Sequence, residues 1–155
     1  MRIVPDINVE QEKFIWSLLV QHEQADSVAI FSQTYRPLDL ASRHKWDVAV
    51  HALAENVWRA GLVLSSIGKA RLLTIMARIP TSRWNGMARD QMVQGICEDL
   101  LKHLAGLGPD DPPNNVLFSG IEFLRTIRAP HNSNFWSNLL GFPVLAEVAL
   151  DGICY

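Results

Sequence analysis

The sequence predicts an all-α fold, a single compact bundle of six to seven helices over residues 1–155 with no persistent sheet. Three observations point to it. Apolar residues recur every three or four positions through five long segments, the mark of one buried helix face. The prolines fall outside those segments, where they break or start helices. Hydrophobic residues make up 48% of the 155 and charged residues 19%, too apolar a balance for a disordered chain.

Asn8 is placed to cap the first helix, with Gln11 three residues on completing a pair like a capping box. Phe14, Ile15, Leu18, Leu19 and His22 then share one face, and Asp26 and Ser27 interrupt it. Residues 27–40 are ambiguous. Val-Ala-Ile-Phe suits a short strand or a helical turn, and Tyr35-Arg36-Pro37 reads as a break, because the residue before proline is pushed out of the helical region. A lone strand would have nothing to pair with, so helix and loop are favoured there.

Ser42 is expected to cap the second helix, residues 43–60, whose Trp46, Ala49, Val50, Leu53, Val57 and Ala60 fall within one arc before Gly61. Ser65 or Ser66 caps a third, with Leu72, Leu73, Met76 and Ile79 inward and Pro80 as its stop. A fourth begins between Ser82 and Met87, runs through Met92, Ile96, Leu100 and Leu104, and ends at Gly106 or Gly108. Residues 108–115 form the one obvious loop, too short to link independent domains. A fifth helix carries Leu117, Ile121, Leu124 and Ile127 to a stop at Pro130. Two short helices close the chain, one over residues 133–140 and one starting at Pro143, where a first helical turn tolerates proline. No repeat of fixed period occurs.

Two cysteines, Cys97 and Cys154, are too few for a disulfide framework. The first residues lack the apolar core of a signal peptide, and the longest uncharged run, residues 129–146, holds prolines and polar groups that a bilayer rejects. The expectation is a cytoplasmic chain with reduced thiols and no membrane segment.

Charge is distributed unevenly. The whole chain has 14 basic and 16 acidic residues, a net of −2. From Arg36 to Arg89, however, nine basic residues stand against three acidic ones, a net of +6, while residues 1–35 carry −3 and residues 90–155 carry −5. Seven of the nine are arginine, whose planar fork suits phosphate and carboxylate. Arg71, Arg78, Arg83 and Arg89 are therefore candidate partner-binding residues, either on a protein surface or along a nucleic-acid backbone. The competing reading is that the acidic ends fold back and neutralise this centre. Trp58, at the edge of its helix, and Trp84, in a polar Arg-Trp-Asn-Gly turn, are added to the candidates, since tryptophan is enriched at interfaces.

No motif names a reaction. His44, Asp47, His51 and Glu55 lie along one stripe of the second helix and are all potential metal ligands, but any amphipathic helix has such a polar face. His131 beside Ser133 lacks an orienting third group, and Cys97 and His103 are about 120° apart on their helix at 100° per residue. A phosphate loop, a Cys-x-x-Cys pair and a His-Glu-x-x-His motif are all missing. No catalytic, cofactor or metal residue is assigned. The sequence is read as a non-enzymatic helical interaction module or assembly subunit that binds a protein partner through apolar and arginine-bearing surface. The alternative is a nucleoprotein subunit contacting a backbone through residues 36–89, and a small enzyme ranks third.

Overall fold

The computed structural model describes residues 9–20, 26–79, 87–107, 115–130, 133–142 and 145–153. Among them are eight helices: α1 (Val9–Val20), α2 (Ser27–Tyr35), α3 (Leu40–Trp58), α4 (Ser66–Arg78), α5 (Met87–Ala105), α6 (Asn115–Thr126), α7 (Ser133–Leu139) and α8 (Ala146–Ile153). No strand occurs among the described residues. The fold is all-α, as the sequence predicts, with one helix more than expected. The addition is α2, which resolves the ambiguous residues 27–40 into a helix followed by a turn at Arg36 and Pro37.

Capping side chains set the helix starts. Asp26 opens α2 by accepting the Ala29 N–H at 3.0 Å, and Ser65 opens α4 by accepting the Gly68 N–H at 3.1 Å. Helix α3 corrects the sequence reading. Its N-cap is Asp39, which accepts the Ser42 N–H at 2.8 Å, so the helix begins three residues before the predicted start. These bonds from the Ser42 backbone and side chain hold the Asp39 carboxyl below its ordinary range. The far end is also shorter than predicted. Helix α3 ends at Trp58, and Ala60 lies exposed beyond it. Similarly, α6 stops at Thr126 rather than Pro130. Arg128 adopts a left-handed φ of 54°, and the Arg128 and Ala129 N–H groups fold back onto Arg125 O and Leu124 O, the Schellman closure of a helix end. Asn8 and Pro143 lie outside the described residues.

Helix α4 sits at the centre. It packs most extensively on α6 and also touches α1, α2 and α3, while α5 bridges α3 and α6, and α7 and α8 pack on each other. The predicted inward faces Leu72, Leu73 and Met76 of α4 with Ile79 just past it, Met92, Ile96, Leu100 and Leu104 of α5, and Leu117, Ile121 and Leu124 of α6 with Ile127 just past it are all buried in one core. At α3, Ala49, Val50, Leu53 and Val57 are buried, whereas Trp46 is half-buried, edge-on to Phe14 and Phe31 at ring separations of 5.4 and 6.2 Å. Gly120 lets α6 approach the Leu100 side chain of α5.

Helix ends leave carbonyls without partners inside the helix, and the arginines of the basic centre fill several of these places. Arg71 of α4 donates from Nη1 to Leu18 O at 3.2 Å and Leu19 O at 3.3 Å, at the end of α1. Arg43 of α3 donates to Tyr35 O at 3.3 Å and Arg36 O at 2.6 Å, at the end of α2, and its guanidinium lies 5.1 Å from the Tyr35 ring centroid. Arg89 of α5 donates to Ile127 O at 2.8 Å, just past α6. Neither α1 nor α2 has a basic residue in its own last turn, so the cation comes from another helix.

Candidate functional site

The corner between α3 and α4 combines exposed apolar surface with a polar cluster. Beyond Trp58 the chain turns at Gly61, whose φ of 75° favours glycine, and the Leu62 N–H returns to Asn56 O at 2.8 Å. A run without regular secondary structure then leads into the Ser65 cap. Leu64 turns inward and folds over Gly68, where any Cβ would meet the Leu64 side chain at 2.6 Å. Its neighbours turn outward: Leu62 is 39% exposed, Val63 89% and Ile67 63%. Neither Val63 nor Leu64 makes a backbone hydrogen bond within the described residues.

Beside this corner, Asp99 of α5 accepts from donors on α3 and α4 and has a histidine of its own helix close by. Lys69 Nζ of α4 stands 3.0 Å from Oδ2 and 3.2 Å from Oδ1. The Trp58 indole N–H of α3 donates to Oδ2 at 3.1 Å, and His103, one turn along α5, has Nε2 3.7 Å from Oδ1. Gly95 makes this meeting possible. It lies one turn before Asp99 on the same face of α5, and a Cβ there would collide with the Trp58 carbonyl oxygen. Both Asp99 oxygens already accept from neighbours, which suits a tie between helices better than an abstraction of protons. Trp58, Lys69, Gly95, Glu98, Asp99 and Lys102 line a groove of about 370 Å³ together with the corner residues.

Of the six residues singled out in the sequence, the four that are described do not form one surface. Arg71 and Arg89 hold helix ends, Trp58 is tied to Asp99, and Arg78 is exposed at the end of α4. Trp58, Arg89 and Arg78 line three different grooves. Arg83 and Trp84 lie outside the described residues, as do His22, His131 and Cys154. Lys69 and Asp99, residues 30 apart in sequence, were not singled out. The available signal was Gly95, a glycine in mid-helix, which costs stability unless close packing needs it.

The histidine–carboxylate stripe of α3 also disperses. His44 is exposed, but Asp47 is only 3% exposed and accepts the Tyr35 hydroxyl at 2.8 Å. At 100° per residue Asp47 falls about 20° from Ala54, at the margin of the buried arc rather than opposite it. No group of three His, Cys, Asp or Glu side chains that could hold a metal occurs among the described residues. Cys97 is a free thiol on the floor of a second groove, about 480 Å³, between α5 and the α6–α7 region. Burial first, and the neighbouring Glu98 second, push its pKa up to about 12, which keeps it protonated and unreactive at neutral pH. No described helix is long and apolar enough to cross a membrane. Comparison of the chain with protein-family models, curated proteins and solved structures finds no match.

Proposed function

We propose that this chain is a non-enzymatic interaction module that docks a protein partner on the α3–α4 corner. The observation that carries the reading is the exposure of Leu62, Val63 and Ile67 within six residues of one another. Contiguous apolar surface rimmed by polar groups marks interaction sites, and here the rim is the Lys69–Asp99 pair with Glu98 and Lys102. The unpartnered backbone of Val63 and Leu64 suits an extended segment of the partner, which would bond to main chain while its apolar side chains cover Val63. The Asp99 tie and the Gly95 contact make the corner a rigid platform, which lowers the ordering cost of binding.

The nucleoprotein reading draws less support, because Arg43, Arg71 and Arg89 are engaged with carbonyls inside the fold. The test is retention of proteins captured from native lysate, compared between the wild type, Val63→Asp/Ile67→Asp and Leu150→Asp, an exposed apolar site on α8. The proposal expects a captured protein that survives nuclease and 0.5 M-range salt, of the order that screens surface charge to a few ångströms. It should be lost in the corner variant and kept in the α8 variant, with all three melting alike. Equal retention by the corner variant and the wild type would refute it.

A further inference from the structure

A third groove, of about 510 Å³, runs between α2 and α4 and has different chemistry. Its lining includes Asp26, Ser32, Gln33 and Arg36 from the α2 side and Thr74 and Arg78 from α4. Ser32 and Arg36 are one turn apart, as are Thr74 and Arg78, so each arginine stands on its helix's groove-facing stripe. The two arginines differ from five other members of the basic centre. Arg43, Arg71 and Arg89 are engaged with carbonyls, Arg59 faces Glu55 at 3.8 Å, and Lys69 is paired with Asp99. Both Arg36 and Arg78 are exposed, and neither guanidinium makes a hydrogen bond or ion pair among the described residues. Asp26, the one acid among the described lining residues, already holds the α2 N-terminus through Ala29. Two uncommitted arginines of the basic centre thus line one concave, polar groove, while Lys45, also exposed, is not among its lining and Arg83 lies outside the described residues.

We infer that the α2–α4 groove binds a small phosphate-bearing ligand between Arg36 and Arg78. Two planar guanidinium forks carry two positive charges, of which a carboxylate's single negative charge balances only one, whereas a phosphate or diphosphate offers three or more acceptor oxygens and a charge near −2. The site is separate from the α3–α4 corner and does not depend on the protein-partner reading.

The test is titration of inorganic pyrophosphate into the full chain, followed by calorimetry and by amide NMR. The inference expects saturable binding with a dissociation constant of roughly 10 μM–1 mM, with shifted amides on α2 and the end of α4. Arg36→Gln and Arg78→Gln should each weaken binding about tenfold or more, the loss expected of a charge-assisted hydrogen bond, without lowering the melting temperature. Arg36→Lys/Arg78→Lys, which keeps the charge but not the forks, should also bind more weakly than the wild type. No binding of pyrophosphate, undiminished binding by Arg36→Gln/Arg78→Gln, or acetate binding as tightly as pyrophosphate would overturn the inference. A chain that ignores pyrophosphate but holds single-stranded nucleic acid through these arginines would overturn it too, and would return the groove to the polymer reading.

Discussion

Single atoms decide much of this architecture, and Gly95 is the clearest case. The missing Cβ lets the end of α3 rest on α5, and that contact sets Trp58 over Asp99. Because the obstacle to a larger side chain is a backbone carbonyl rather than a flexible chain end, the two helices would have to separate. Gly95→Ala should therefore destabilise the protein by about 1–3 kcal/mol, the cost of overpacking a tight site, despite alanine's better helix propensity. It should also weaken the Trp58–Asp99 bond, visible as a red-shifted Trp58 emission in a variant lacking the other tryptophans. A melting temperature equal to or above that of the wild type would show that the close approach is not needed. Cys97 illustrates the opposite lesson, since a buried thiol on a groove floor looks reactive by position but is kept protonated by its surroundings.

Helices are where the sequence is most and least readable. The apolar phases of α4, α5 and α6 were legible because periodicity is a local property, and all twelve of their predicted core positions are buried. The start of α3 was missed by three residues because Asp39 and Ser42 are both good caps, and only the carboxylate's bond to the Ser42 N–H distinguishes them. The roles of the arginines were not legible at all. Arg71 closes α1 from 53 residues away and Arg89 reaches Ile127 from 38, distances at which sequence carries no pairing signal. For the same reason the Asp99 tie stayed hidden, with Trp58 41 residues from its partner. At α3 the cap gives a pH prediction. The Asp39 carboxyl titrates below its ordinary range in the folded chain, so its contribution is complete above that range and is lost as pH falls through the lowered value. Asp39→Asn should lower the melting temperature at neutral pH and shrink the gap to the wild type in strong acid. A gap independent of pH would mean that the charge of the cap is irrelevant.

At the scale of the whole molecule, the +6 centre is divided between two tasks. Part of it closes helices that lack a cation of their own, and part remains at the surface. That division is the central claim, because it decides how much of the positive charge is left at the surface for any partner. It is tested most directly by comparing the thermal melting of Arg71→Ala with that of Arg78→Ala. Both residues lie on α4, seven positions apart, and carry the same charge. Arg71 makes two bonds to α1 carbonyls, and losing hydrogen bonds of this charged kind costs about 1.5–3 kcal/mol, so its variant should melt roughly 3–12 °C lower at about 2–4 °C per kcal/mol. The exposed, unbonded Arg78 should change stability by less than about 0.5 kcal/mol, a melting shift of at most about 2 °C. Equal shifts, or a larger one at Arg78, would contradict the account.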